Sequence, residues 1–107
     1  MVSTHVLDTS RGLPAAGVSV SLEKKNASAW SLIDSVETNV DGRIAFTAPP
    51  SAGTYRLTFE FESYFLKTKT EHFFTMAPVI FHITDPSRKY HVPLLLNPFG
   101  YSTYRGS

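Results

Sequence analysis

Apolar residues alternate with polar ones along three stretches of the chain, at residues 18–23, 55–61 and 79–83. In the first stretch valines and a leucine alternate with serines and a glutamate. In the second, aromatic residues and a leucine alternate with polar side chains. A period of two gives a strand one apolar face for a core and one polar face for solvent. These stretches are therefore predicted to be β-strands.

Turn residues delimit further strand-like segments. Asp41-Gly42 is the dipeptide of a tight turn, so residues 30–38 and 43–47 are predicted to form a hairpin. The other predicted strands cover residues 4–8, 90–96 and 101–105. Predicted loops and turns lie at residues 10–14, 49–53, 85–87 and 97–100, which contain glycine or proline.

The alternation lapses at residues 62–69, where Tyr64, Phe65 and Leu66 are consecutive and neither glycine nor proline occurs, so a short helix is predicted. The whole chain then contains about eight short strands and one short helix, without internal repeats or a low-complexity linker. This pattern predicts an all-β sandwich of two sheets rather than a parallel α/β fold.

Composition and charge narrow the class of protein. The chain has 107 residues, which predicts a single domain over residues 1–107, and 42% of them are hydrophobic, enough for a packed core. Ten basic and nine acidic side chains give a charge of +1 without runs of either sign, so nothing indicates a nucleic-acid or membrane partner. The absence of cysteine excludes disulfides, thiolate nucleophiles and cysteine-ligated zinc.

The N-terminal residues enter strand-like sequence directly, without a basic segment and an apolar run. No apolar stretch approaches the ~18 residues of a membrane span. We therefore expect a soluble, intracellular protein, although a chain from which a leader had been removed would look the same.

Two histidines and an arginine are candidates for chemistry. His5 lies in the opening strand and His91 in the penultimate one, and imidazole can act as a base or an acid near neutral pH. Arg43 follows the Asp-Gly turn with a planar fork of donors that suits an oxygen acquiring negative charge. The alternative is that both histidines are hydrogen-bonded structural residues and that Arg43 is a solvated charge.

The remaining histidines, His72 and His82, are predicted to be structural or surface residues, because His82 is out of phase with its apolar neighbours. Zinc ligation by His5, His82 and His91 lacks local motif spacing, so no metal is expected. Nucleophile elbows and phosphate or dinucleotide loops do not occur. Residues 101–107 contain two tyrosines and an arginine, which indicates either a specific role or a frayed edge strand.

Three segments resemble the 5-hydroxyisourate hydrolase family, the transthyretin-related proteins. They are His-Val-Leu-Asp-Thr-Ser-Arg-Gly-Leu-Pro-Ala at 5–15, Thr-Asn-Val-Asp-Gly-Arg at 38–43, and Tyr-His-Val-Pro-Leu-Leu-Leu through to Tyr-Arg-Gly-Ser at 90–107. The Leu-Asp-Thr and Leu-Leu-Leu-Asn-Pro elements are shared in kind with transthyretin. The histidines, the arginine and the Tyr-Arg-Gly-Ser end resemble the enzyme branch alone.

This resemblance implies a transthyretin (prealbumin)-like sandwich that forms a homotetramer, a dimer of dimers with sites at the dimer-dimer interface. It also implies hydrolysis of 5-hydroxyisourate to 2-oxo-4-hydroxy-4-carboxy-5-ureidoimidazoline in urate degradation, without metal or organic cofactor. His5 and His91 would provide the general base and its partner, in an order that stays open, and Arg43 would stabilise the attacked oxygen. The implied substrate-binding residues are Tyr104, Arg105, Gly106 and Ser107. Since members of the family occur in the cytoplasm, the periplasm and peroxisomes, the resemblance implies a cytoplasmic or peroxisomal protein, and a periplasmic one only if a leader has been removed. Lys89, Asn97 and residues 73–78 depart from the family pattern.

The sequence leaves two other interpretations. A transthyretin-like carrier of small aromatic ligands would need an apolar channel, whereas the candidate residues supply two imidazoles and a guanidinium. A structural sandwich of immunoglobulin type is disfavoured because the Cys-Trp-Cys arrangement is missing.

Overall fold

In the computed structural model, which describes residues 1–107, nine strands form two sheets and one short helix lies between the sixth and seventh strands in the chain. In chain order the elements are β1 (Val2–Asp8), β2 (Leu13–Pro14), β3 (Ser19–Asn26), β4 (Ala29–Glu37), β5 (Arg43–Ala45), β6 (Gly53–Glu60), α1 (Glu62–Lys67), β7 (Met76–Ile83), β8 (Tyr90–Asn97) and β9 (Gly100–Thr103). The prediction of an all-β fold with one short helix is confirmed. Only β2 is shorter than three residues, so eight strands remain, as the pattern predicted.

The first sheet has the strand order β2-β1-β8-β9, with β5 also paired to β1. The second sheet has the order β4-β3-β6-β7. The central pair β1 and β8 is parallel, and all other neighbours are antiparallel. The centre of the first sheet therefore joins the two ends of the chain.

The core lies between the two sheets and contains 20 buried apolar residues. Along β1 the even-numbered residues, from Val2 to Asp8, are buried, while Ser3, His5 and Leu7 between them are only partly covered. This is the strand period of two, and it turns Ser3 and His5 to the outer face of the first sheet. In the parallel pairing of β8 with β1, His91 lies beside Ser3 and so faces the same side.

The predicted hairpin of residues 30–38 and 43–47 is wrong. β4 pairs with β3 in the second sheet, whereas β5 pairs with β1 in the first. The Asp-Gly turn is present, and Gly42 has φ +72° with its amide donating to the Asn39 carbonyl at 2.9 Å. However, the Gly42 carbonyl accepts a 2.8 Å bond from Val6 of β1, so the turn carries the chain across to the other sheet.

The predicted loop at residues 10–14 is confirmed except for its last two residues, which form β2 against β1. The helix α1 is tied to the end of β1 by a side-chain bond: the Tyr64 hydroxyl donates to Asp8 Oδ2 at 2.7 Å. Burial and the bond to Asp8 together raise the pKa of Tyr64. No helix in the structure has the length and apolarity that a bilayer crossing requires.

Candidate functional site

The outer face of the first sheet brings together the three residues singled out for chemistry. Arg43 lies opposite His5 in the β1–β5 ladder, and His91 lies beside Ser3 in the parallel β1–β8 ladder. His5 is two residues further along β1 than Ser3, a displacement of about 7 Å along the strand. Three strands from three parts of the chain thus present one imidazole, one guanidinium and a second imidazole on a common surface.

A cavity of about 470 Å³ opens on this face. Its polar lining residues are Ser3, Thr4, Asn39, Arg43, Lys89, His91 and Ser107. No aspartate or glutamate lines it, so its side-chain charges are positive or neutral. Such a lining favours an anion, or a group that becomes one.

His91 is held on two sides. Ser3 Oγ lies 2.8 Å from its Nδ1, and the Gly106 amide donates to its backbone carbonyl at 2.7 Å. Burial lowers the pKa of His91, and the nearby Arg43 charge lowers it further. The imidazole is therefore kept neutral at physiological pH, which is the form that can take up a proton.

His5 experiences similar influences without bordering the cavity. Burial lowers its pKa first, the Arg43 and His91 charges act in the same direction, and the Asp41 backbone opposes them. The 470 Å³ cavity does not have His5 among its lining residues. Within one chain, His5 is thus electrostatically linked to Arg43 and His91 but does not line the cavity that these two residues share.

The turn before β5 orients Arg43. Asn39 Oδ1 accepts hydrogen bonds from the amides of Asp41 and Arg43, each at 2.9 Å, which ties the turn to the first residue of β5. The only ion pair in the structure joins Arg56 to Glu23 on the second sheet. The Arg43 guanidinium therefore has no carboxylate partner and remains available to a ligand.

The C-terminal tail, residues 104–107, runs beside His91, and its residues line two different cavities. Ser107 lines the 470 Å³ cavity with Arg43 and His91. Tyr104 and Arg105 instead line a second, more apolar cavity of about 230 Å³, which His91 also borders. Arg105 has its Cζ 4.9 Å from the centre of the Tyr90 ring. Gly106, between Arg105 and Ser107 in the chain, is the β-bridge partner of His91.

The remaining histidines lie apart from Arg43. His72 Nδ1 is 3.0 Å from the Thr70 carbonyl oxygen, and its ring stacks on Phe65 at 5.2 Å. His82 is exposed near Thr54, with 3.3 Å between Nδ1 and Oγ1, and it lines the smaller cavity together with His91. The structure gathers no group of three or more side chains able to hold a metal ion.

Sequence reasoning missed Ser3, Asn39 and Lys89 as residues of the cavity. Ser3 could have been placed on the face of His5 from the period of two. Its contact with His91 could not, because 88 positions separate the two residues. Lys89 lies just before the start of β8, two residues before His91.

Comparison with known proteins decides the family. Residues 2–106 match the model of the HIUase/Transthyretin family. The chain belongs to this family. Its relatives include the 5-hydroxyisourate hydrolase of Salmonella typhimurium, which is 46% identical over 110 residues, covering 100% of this chain and 81% of the relative.

Solved structures agree with this membership of the HIUase/Transthyretin family. The 5-hydroxyisourate hydrolase of Klebsiella pneumoniae has a TM-score of 0.87 and 44% identity, covering 99% of this chain and 98% of the other. Sea bream transthyretin in complex with thyroxine has a TM-score of 0.90 and 30% identity, over 98% and 93% of the two chains. The predicted transthyretin-like sandwich is confirmed.

Proposed function

We propose that this protein hydrolyses 5-hydroxyisourate. The observation that carries the proposal is the common cavity of His91 and Arg43, two groups able to move a proton and to stabilise an oxyanion. The identity to 5-hydroxyisourate hydrolases over the whole chain supports the same substrate. The product is 2-oxo-4-hydroxy-4-carboxy-5-ureidoimidazoline, in which the opened six-membered ring leaves a carboxylate.

His91 is the general base of the proposed reaction. Its neutral imidazole takes a proton from water while the water oxygen bonds to the ring carbonyl carbon. The carbon–nitrogen bond then breaks, and the proton passes to the departing nitrogen. His5, about two residues along the neighbouring strand, orients the substrate or relays the proton. Water is the only co-reactant, so the sequence of steps requires neither metal nor cofactor.

Arg43 stabilises the negative charge that forms on the attacked oxygen. Its guanidinium has no carboxylate partner, and no acidic side chain lines the cavity, so its charge is not neutralised before substrate binds. Donors aimed at a developing oxyanion contribute roughly 10²- to 10³-fold to turnover. Ser107 shares the cavity, and Tyr104, Arg105 and Gly106 complete the substrate-binding tail beside His91.

The active form is a homotetramer, a dimer of dimers with its sites at the dimer-dimer interface. The supporting observation is that His5, Arg43 and His91 lie on the outer face of the first sheet, the face turned away from the second sheet. A second copy facing this surface would enclose the cavity and restrict water. Sedimentation velocity at assay concentration should give four times the 11.9 kDa chain mass, and a fully active monomer would contradict this arrangement.

A coupled assay tests the activity itself. Urate oxidase generates 5-hydroxyisourate in situ, and its ultraviolet decay is followed with and without the protein. We expect decay well above the spontaneous rate, and a fall of roughly 100-fold or more in His91→Ala. His72→Ala, which removes an imidazole outside the cavity, is the matched control and should retain turnover. Spontaneous decay with the folded wild-type protein would refute the proposed function.

A further inference from the structure

Ser3 is the hydrogen-bonding partner of the His91 ring. It sits on the outer face of β1 between two buried residues and pairs with His91 in the parallel ladder. Its Oγ is 2.8 Å from His91 Nδ1, in a half-buried position at the wall of the 470 Å³ cavity. This is the only hydrogen bond that the ring makes in the structure.

The partner of one imidazole nitrogen decides what the other can do. A base needs an unprotonated nitrogen, so its proton must reside on the opposite nitrogen and be donated there. With Nδ1 directed at Ser3, the nitrogen left for the cavity is Nε2. The other charged and titratable side chains that share a cavity with His91 or are electrostatically linked to it are His5, Arg43, His82, Lys89, Tyr90, Tyr104 and Arg105. None of these side chains is a carboxylate that could accept from Nδ1.

We propose that Ser3 is a positioning residue for the hydrolysis: its hydroxyl oxygen accepts the Nδ1 hydrogen of His91, which fixes the tautomer and directs the free Nε2 towards the attacking water. The proton that leaves water binds Nε2, and Nδ1 continues to donate to Ser3 in the resulting imidazolium. The inference rests on the proposed function for its consequence in turnover, but the tautomer itself can be measured without substrate.

A hydroxyl orients the imidazole without adding a negative charge. A carboxylate at this position would strongly favour the imidazolium, and the base would then be protonated before it meets the substrate. Beside Arg43, a neutral acceptor leaves the lowered pKa of His91 intact. Ser3→Asp should therefore move the acid limb of turnover to higher pH, whereas Ser3→Thr should leave it in place.

The first test is nuclear magnetic resonance of the imidazole nitrogens in the free protein. Wild type should show His91 protonated at Nδ1, and Ser3→Ala should show a mixture of the two tautomers. Ser3→Thr keeps the hydroxyl and should restore the wild-type pattern. An unchanged tautomer in folded Ser3→Ala would overturn the inference, whatever substrate the protein turns over.

The second test is turnover of 5-hydroxyisourate by the same variants. Ser3→Ala should lower kcat by roughly 10-fold or more, with little change in KM, because a misoriented base is costly even when the displacement is small. Ser21→Ala, a serine on the outward face of β3 in the other sheet, is the matched control. Wild-type kcat in Ser3→Ala would contradict the inference, whereas an inactive wild type would contradict the proposed function alone. Far-ultraviolet circular dichroism and thermal unfolding verify that each variant is folded.

Discussion

Gly106 approaches the imidazole of His91 so closely that a methyl group at position 106 would lie 2.6 Å from the ring Cδ2 atom. The Gly106 amide also donates to the His91 carbonyl at 2.7 Å, so the tail backbone is attached at this point. A side chain cannot be accommodated here unless the ring or the tail moves. The glycine is required by proximity, since its φ is not in the left-handed region.

Gly106→Ala should therefore damage catalysis more than folding. We expect kcat to fall by at least roughly 10-fold as His91, the proposed base, is displaced, because small misplacements of reacting groups have large rate effects. Thermal unfolding should change little, since most of the tail is exposed. Gly100→Ala is the control, because its methyl group would meet nothing within 4 Å. Equal turnover in the two variants would show that the contact does not position His91.

The pH dependence of turnover should reflect the lowered pKa values of His5 and His91. A base acts in its neutral form, so activity is lost as pH falls through the folded-state pKa, which lies below histidine's ordinary value of about 6.5. The profile of kcat/KM against pH, measured between pH 4.5 and 8 on the order of every half unit, checks this. An acid limb with its midpoint above ~6.5 would contradict it.

The lowered pKa values of His5 and His91 also make the stability of the fold depend on pH. Because both pKa values are lower in the folded protein, the unfolded chain binds more protons in the interval below about 6.5. The stability contribution is complete above the unfolded pKa and is lost as pH falls through the folded pKa. Denaturant unfolding of wild type should show this acid loss, and it should diminish when both histidines are replaced by glutamine.

Arg43→Met should act on both charge and catalysis. Removing the guanidinium removes a cause of the lowered pKa of each histidine, so both should titrate at higher pH. Turnover should fall by roughly 10²-fold through loss of the oxyanion donor. Proton resonances of the histidine rings give the titrations directly. Arg43→Lys should retain the low pKa values but only part of the activity, because the planar fork is lost.

Lys25→Met is the matched charge control for Arg43→Met. Lys25 lies exposed near the end of β3 in the second sheet and has no role in the shifts of either histidine. Its removal should leave both titrations unchanged. If Lys25→Met and Arg43→Met moved the histidines equally, net charge rather than local placement would be responsible.

Tyr64→Phe should lower stability and spare activity. The Tyr64 hydroxyl donates to Asp8 Oδ2, while Asp8 Oδ1 accepts from the amides of Ser10 and Arg11 and from the Ser10 hydroxyl. Losing one bond to a buried carboxylate costs about 1 to 3 kcal/mol, or roughly 4–8 °C in Tm for each kcal/mol. Thermal unfolding measures the loss. Turnover per folded molecule should be unchanged, because this junction lies beyond the cavity; a selective loss of kcat would contradict that separation.

Local sequence patterns were sufficient to predict the helix and every strand except the two-residue β2. The period of two predicted the strands that became β3, β6 and β7, and its lapse after residue 61 predicted α1. These predictions succeed because a strand with one buried face shows alternating apolar and polar residues along the chain. The family segments likewise named His5, Arg43 and His91 before any geometry was known.

Tertiary structure alone decided which strands meet and therefore which side chains touch. An Asp-Gly turn has the same local chemistry whether the chain pairs with the preceding strand or crosses to the other sheet. The predicted pairing of β5 with β4 was therefore wrong. The bond between Ser3 and His91 depends on a parallel pairing of the two ends of the chain. The sequence by itself determined the strands and the chemical groups, because both are local properties. The assembly of those groups into one cavity was determined by long-range register, which no local pattern encodes.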